Sequence, residues 1–301
     1  MDTFDKVCAN LGVPISDDKT EGPTTCLVFL GLEIDTVEMV VRVPLKKVEE
    51  LCSLITQVLG KSKIKLADLQ SFAGKVAFCA RAIPSARAFC RRIYESMSGV
   101  KKAYHYIRLG VNLKEDLRTL HKFFHSFNGV CYFPDKEWLS NVSCELYTDS
   151  SGNSALGCGA LFQKQWLVVK WSEFDFSAEV FRDITYLELI PIFLALLVWG
   201  QEFQNKKVIF HCDNMALVEI LNKKSSRSCR VMSLIRPLLL ECMYHNVQFK
   251  AMHVPGVSNA KADALSRLQF QRFRELAQDS SQQACVIPQA FWTIFMQNST
   301  D

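Results

Sequence analysis

Between Cys144 and Leu268 the hydrophobic period changes in a fixed order, and that order constrains the fold more than any single motif does. Cys144–Asp149, Leu156–Phe162 and Gln165–Trp171 are three short runs of β type joined by Ser-Ser-Gly-Asn and Gln-Lys-Gln turns, a spacing that predicts an antiparallel meander. An apolar helix is expected over Ile184–Phe203, a β-branched strand over Lys207–Cys212, a short helix over Met215–Leu221 and a polar basic loop over Asn222–Ser228. A long helix then runs to Tyr244, followed by a strand over Val247–Met252 and a helix over Asn259–Leu268. The order β-β-β-α-β-α-α-β-α fits one mixed sheet packed by helices.

Upstream the pattern differs. Residues Cys26–Pro44 alternate Leu27, Phe29, Leu32 and Ile34, then Met39, Val41 and Val43, around an Asp35-Thr36 break, which predicts a hairpin. From Pro44 the period lengthens: Leu45, Val48, Leu51, Leu54, Ile55 and Val58 mark an amphipathic helix that Gly60 stops. Further helices are expected over Leu66–Cys79, from Pro84 through Arg92, and over Asn112–Phe127, with a loop or connecting strand over Gly129–Trp138. The tail after Leu268 is polar and carries little pattern apart from Phe291-Trp-Thr-Ile-Phe295.

At 301 residues and 49% hydrophobic composition the chain can bury ordinary cores, which excludes disorder as its overall state. Its net charge is only +4, yet Arg42–Arg108 holds 14 Lys/Arg against 4 Asp/Glu, leaving the rest of the chain acidic. Charge so localised fits a phosphate-bearing partner, with a solvated basic face as the plainer reading. The twelve cysteines are scattered through apolar segments without a Cys-x-x-Cys pair, and the N-terminus lacks a signal-peptide pattern, so reduced, buried thiols in an intracellular protein, cytoplasmic or nuclear, are expected. Leu187–Gly200 contains Glu188 and Pro191 and is too short to span a bilayer, so no membrane partner is expected.

Four acidic residues stand where apolar elements do not need them: Asp149 at the end of the first strand, Glu188 in the apolar helix, Asp213 after the central strand and Asp263 early in the final helix. Each has an ordinary structural reading. Asp149 fits a turn in Asp-Ser-Ser-Gly, Glu188 the far end of a Thr185-x-x-Glu188 capping box, Asp213 an N-cap, and Asp263 a complement to the helix dipole. Taken together, strand ends beside a helix crossing the sheet can gather carboxylates at one edge. Such a set suits Mg²⁺, which takes a few protein carboxylates plus substrate phosphate oxygens, and paired ions there activate water and stabilise a leaving oxygen.

These residues lie in segments that resemble a known family. Tyr147-Thr-Asp-Ser-Ser-Gly152, Tyr186-Leu-Glu-Leu189, Phe210-His-Cys-Asp-Asn-Met215 and His253-Val-Pro-Gly-Val-Ser-Asn-Ala-Lys-Ala-Asp-Ala-Leu-Ser-Arg267 resemble the ribonuclease H segments of retrotransposon reverse transcriptases. Ser225-Ser-Arg-Ser228 and Leu268-Gln-Phe-Gln-Arg-Phe-Arg274 add a likeness to DIRS-type elements. The family's Asp-Glu-Asp-Asp order falls on Asp149, Glu188, Asp213 and Asp263, at intervals of 39, 25 and 50 residues. Gly12-Val-Pro, Lys19-Thr-Glu-Gly-Pro23 and Phe29-Leu-Gly-Leu-Glu33 resemble the end of a reverse transcriptase palm with its primer-grip hairpin, and the helices from Pro44 to about Met97 resemble a thumb.

The resemblance implies an α/β fold with a ribonuclease H-like mixed five-stranded sheet and flanking helices, preceded by a β-hairpin and a helical thumb-like region. Expected boundaries are a palm-end remnant over 1–43, the thumb-like region over 44–110, a connection over 111–143, the ribonuclease H-like domain over 144–268 and a tail over 269–301. It implies endonucleolytic hydrolysis of the RNA strand of an RNA–DNA hybrid by two Mg²⁺ ions, with Mn²⁺ as a substitute, held by Asp149, Glu188, Asp213 and Asp263. Arg87, Arg91, Arg92, Lys223, Lys224, Arg227 and Arg230 are expected to contact nucleic acid, and a complete reverse transcriptase or other retroelement proteins are expected as further partners. The fingers, most of the palm and an aromatic-x-Asp-Asp motif are missing, and Asp17-Asp18 fits a polar turn, so no nucleotide addition is expected from this chain alone. His253 falls to either a catalytic or a structural role, and His211 to packing within a strand. The alternative is a catalytically silent remnant that binds nucleic acid.

Overall fold

The computed structural model describes residues 2–127, 130–133, 136–139, 141–144 and 146–297. Helix α1 (Asp2–Asn10) leads into three short strands, β1 (Cys26–Phe29), β2 (Leu32–Asp35) and β3 (Val40–Arg42). The expected two-stranded hairpin is therefore a three-stranded meander. Its additional turn falls at Leu30-Gly31, where both residues have positive φ (48° and 80°), a conformation glycine adopts freely and leucine does not. The antiparallel β6 (Val130–Tyr132), distant in sequence, pairs Cys131 with Val41 and completes a four-stranded sheet.

The helical part comprises α2 (Leu45–Leu59), α3 (Leu66–Cys79), α4 (Arg87–Met97) and α5 (Val111–Phe127), with β4 (Lys63–Lys65) and β5 (Tyr106–Arg108) forming a small antiparallel pair between them. α2 buries Val48, Leu51, Ile55 and Val58, the stripe its period forecasts. The third helix is longer than its sequence pattern indicated and continues to Met97, burying Phe89, Cys90 and Ile93.

The remaining strands are β7 (Trp138–Leu139), β8 (Leu146–Ser150), β9 (Gly157–Phe162), β10 (Gln165–Lys170), β11 (Lys207–Cys212) and β12 (Gln248–His253). The helices are α6 (Asn141–Cys144), α7 (Ile184–Trp199), α8 (Met215–Lys223), α9 (Cys229–Tyr244), α10 (Ala260–Ser266), α11 (Phe270–Leu276) and α12 (Gln289–Gln297). This is a mixed α/β arrangement. β8, β9 and β10 form the expected antiparallel meander, while β11 and β12 run parallel. Among the described residues the hydrogen-bonded ladders make two three-stranded sheets, because Lys207 and Val208 of β11 pair with Trp138 and Leu139 of β7; β8 lies beside β11. Of the expected Gly129–Trp138 connection, Val130–Tyr132 is strand and Trp138 opens β7, while Gly129, Pro134 and Asp135 lie outside the described residues.

α7 packs on β8, β9 and α9, and α10 packs on β8 and β9. The close seat of α10 requires Gly159, since a Cβ there would collide with Leu265. Together α7 and the single 3₁₀ turn after it, Ile184–Phe203, form the one stretch among the described residues long and apolar enough to cross a bilayer; 72% of it is buried inside the protein, so here it is a core helix. All twelve cysteines are free and eight are buried.

One continuous apolar core runs from Val43 to Phe295 and joins the helical part to the sheets. α5 sits between α2 and α9, and its Asp116, 1% exposed, accepts from Arg236 Nε of α9 at 2.6 Å and faces Arg92 Nε of α4 at 3.4 Å. The tail is part of this core. Phe291 is fully buried, with ring centroids 4.8 Å from Phe295 and 6.0 Å from Phe174. Phe291→Ala is expected to destabilise the protein by about 3–5 kcal/mol, as for other buried aromatic truncations, and urea unfolding checks it. A midpoint equal to that of the parent chain would mean that α12 is not docked in solution.

Candidate active site

The local structure removes the ordinary readings of three acidic residues, while Asp263 does lie in the first turn of α10, where it complements the helix dipole. Asp149 lies within β8, paired opposite Gly159, and is not a turn residue. The N-cap of α7 is Asp183, whose Oδ1 accepts from the Tyr186 amide at 3.1 Å, so the expected Thr185–Glu188 capping box does not form. Glu188 instead lies a turn further into the helix and is 6% exposed. The N-cap of α8 is Asn214, whose Oδ1 accepts from the Leu217 amide at 3.1 Å, leaving Asp213 uninvolved in capping. Burying a carboxylate costs stability unless it is paired, so the buried Asp149 and Glu188 call for an explanation beyond the fold.

Two of the four carboxylates lie together. Carboxylate oxygens of Glu188 and Asp213, with Cys212 Sγ, lie within 4.8 Å of one another, and the charge of Asp149 acts on Glu188. Burial pushes the Asp149 carboxyl up to about 7, with the charges of Asp213 and Asp263 adding to the shift and the Ser266 hydroxyl opposing it. Burial, then the charges of Asp149 and Asp213, push Glu188 well above the ordinary carboxyl range. The Cys212 thiol is pushed up to about 12, first by burial and then by Glu188, so it remains a neutral neighbour of the cluster.

Asp149 is held by residues from the final motif. Ser266 Oγ donates to Asp149 Oδ2 at 2.5 Å, and Asn259 Nδ2 lies 3.5 Å from Asp149 Oδ1 while donating to the Thr148 carbonyl at 2.8 Å. Both positioning residues are buried, and neither was singled out by sequence reasoning, although both fall within the His253–Arg267 segment. Gly256 backs onto Asp213, with 3.3 Å between its would-be Cβ and Asp213 Oδ2. His253 is exposed and sits opposite Cys212 in the parallel register, at the same sheet edge as Asp213. His211 is half-buried in β11, where burial lowers its pKa.

Asp263 stands apart in its pairing. Its Oδ1 accepts from Arg267 Nε at 2.5 Å and its Oδ2 from Arg272 Nη1 at 2.8 Å. Although burial pushes the other way, these two arginines hold its carboxyl below the usual range.

The basic residues divide by position. Arg91, Arg92, Lys223 and Arg227 line one groove of about 1180 Å³ between α4, β5 and α8, together with Arg108, which had not been singled out. Arg87 lines a neighbouring groove of about 800 Å³ with Arg81, Phe78 and Tyr94. Lys224 lines neither: it adopts a left-handed conformation (φ 52°), with its ammonium 5.2 Å from the Phe249 ring. Arg230 faces Asp183 at 3.8 Å. Arg91–Glu95 and Lys223–Glu219, each 2.7 Å, are solvent-screened helix pairs that contribute little, so their cations are available to a stronger anion.

No family model matches the chain, and no curated protein matches it. Among solved structures it is similar to a foamy viral protease-reverse transcriptase in complex with RNA/DNA hybrid, with 15% identity and a TM-score of 0.31, over 83% of this chain and 33% of that one. The chain thus spans about a third of the length of that protein.

Proposed function

We propose that this chain is a metal-dependent ribonuclease H-like endonuclease that hydrolyses the RNA strand of RNA–DNA hybrids. The observation that carries this reading is the approach of Glu188 from α7 to Asp213 at the end of β11, neither of which caps its helix, with the charge of the buried Asp149 of β8 acting on Glu188. In this reading β10-β9-β8 followed by β11 and β12 is the ribonuclease H-like strand order, opened between β8 and β11 where β7 occupies part of the β11 edge.

The donor set fits a hard divalent cation. It is oxygen-rich, it gathers acidic groups at an edge, and among the described residues its ion-pair partners are the two arginines on Asp263. Asp149, Glu188 and Asp213 would hold Mg²⁺ or Mn²⁺, with Asp263 joining them. Two such ions, when bound, supply an activated water and stabilise the leaving oxygen. Ser266 and Asn259 fix the Asp149 carboxylate, and the apolar wall of α7 excludes bulk water from Glu188.

The basic groove runs along α8 from Ala216, three residues past Asp213, to Lys223, so a duplex seated there reaches the carboxylates within a few base pairs. Discrimination of a hybrid then rests on minor-groove shape and 2′-hydroxyl contacts. Binding measured against salt should flatten in a chain carrying Arg91→Ala, Arg108→Ala, Lys223→Ala and Arg227→Ala, by about 0.9 in log–log slope for each phosphate no longer neutralised. An unchanged slope would place the duplex elsewhere.

The experiment that tests the function compares a hybrid with all-DNA and all-RNA duplexes of the same sequence. RNA cleavage confined to the hybrid supports the reading. Binding of hybrid with no cleavage under any divalent cation would favour a silent nucleic-acid-binding remnant instead.

A further inference from the structure

α11 belongs to the tail, yet it delivers a side chain to the candidate site. Its Phe273 is fully buried against Trp166, with ring centroids 5.3 Å apart, and the neighbouring Arg274 guanidinium lies 5.2 Å from the same indole. Arg274 also donates to the carbonyls of Ser281 and Gln282 at 2.8 and 2.7 Å. The turn into α11 is tight: Leu268 has φ 58°, and the Gln269 amide donates to the Ala264 carbonyl at 2.8 Å. This anchoring holds Arg272 over Asp263, where Nη1 also donates to Gln269 Oε1 at 2.9 Å.

Both oxygens of Asp263 are thus engaged by guanidinium groups, one from its own helix and one from α11. The arginine side chains are themselves half exposed, 54% for Arg267 and 45% for Arg272, so each has a free path to solvent and to any polyanion on that face. Ion pairs this exposed contribute little, and a phosphate accepts the same forked geometry as a carboxylate.

We propose that Arg267 and Arg272 form a clamp on Asp263 that nucleic-acid phosphate opens. In the free protein the clamp neutralises the fourth carboxylate. When a duplex backbone draws the two guanidinium groups onto its phosphates, Asp263 is released to the Asp149–Glu188–Asp213 cluster, and the divalent-cation site gains its fourth acidic group. Substrate binding and cation binding are therefore coupled, and each strengthens the other by the same factor. This rests on the metal-binding reading of the carboxylates.

Mn²⁺ binding to the full chain, followed by the paramagnetic resonance signal of the free ion at low salt, tests it without any turnover. A chain carrying Arg267→Gln and Arg272→Gln should bind Mn²⁺ about fivefold more tightly or better, the lower end of ordinary coupling between sites. Adding Asp263→Asn to that chain should abolish the gain. A non-cleavable hybrid with 2′-methoxy RNA, whose phosphate oxygens add ligands in either chain, should raise the affinity of the parent chain for Mn²⁺ by a larger factor than that of the double variant. Equal affinity in parent and double variant, or a gain that survives Asp263→Asn, would overturn the clamp. If Asp149→Asn abolishes Mn²⁺ binding while the arginine variants behave as the parent, the metal site stands and the clamp alone fails. Absence of Mn²⁺ binding in every chain would overturn both.

Discussion

Asp213→Asn is expected to cut the RNA strand of a hybrid at least about a thousandfold more slowly than the parent chain, a barrier increase of about 4 kcal/mol. The substitution keeps the size and shape of the side chain and removes only its charge. Asp213 is exposed and caps nothing, the cap of α8 being Asn214, so it does not hold the helix start. Its carboxylate nonetheless sits within 4.8 Å of the Glu188 carboxylate, where an amide would turn a cation ligand into a much weaker one. Affinity for the hybrid should change little, because the cations of the basic groove are Arg91, Arg92, Arg108, Lys223 and Arg227, all of which the substitution leaves in place. A loss confined to turnover, with melting temperature and hybrid affinity kept, is the expected pattern. A variant that cuts at the parent rate removes Asp213 from the mechanism.

How far this site was legible in sequence depends on which partner decides each residue's role. The order of strands and helices after Cys144 was readable, because period and spacing are local properties, whereas the four acidic positions were drawn together by a resemblance of motifs. The choice between capping and chemistry was not, since Asp183 and Asn214 compete for the caps that Thr185 and Asp213 also suit, and only the helix starts settle the matter. Non-local pairings were equally hidden. Nothing in Val130–Tyr132 names Val40–Arg42 as its neighbour, and Trp138–Leu139 gives no sign of pairing with β11, because strand partners are chosen by tertiary packing. The Leu30-Gly31 turn was masked by a leucine that continues the hydrophobic run while adopting a positive φ. The tail carried its signal in Phe291 and Phe295, whose partners Phe174 and Phe176 lie more than a hundred residues away.

Without divalent cations, the protein should lose stability as the pH rises from 5 to 8. Asp149 is pushed up to about 7 and Glu188 is also raised, in both cases first by burial, whereas free carboxyl groups titrate near 4. Both groups therefore bind protons more tightly in the folded chain than in the unfolded one. The resulting stability is fully present below the unfolded carboxyl range and is lost as pH rises through the folded values, by up to about 4 kcal/mol for Asp149. Asp116 and Glu241 are raised by burial as well, so the comparison that isolates the site is with a chain carrying Asp149→Asn and Glu188→Gln. That chain should show a flatter profile and greater stability at pH 8, since the repulsion and desolvation are gone. Mg²⁺ should stabilise the parent chain at pH 8 and leave the variant unaffected. Parallel profiles from urea unfolding would mean that the two carboxylates are not buried together in solution.

The most direct measurement is a single-turnover assay of the purified chain with a hybrid labelled on both strands, with Mg²⁺ and with excess chelator. The account predicts internal cuts in the RNA strand that require the cation and are lost in Asp213→Asn, while the DNA strand stays whole. An RNA strand that remains intact with Mg²⁺ and with Mn²⁺, in a chain shown to be folded and to bind the hybrid, would contradict it.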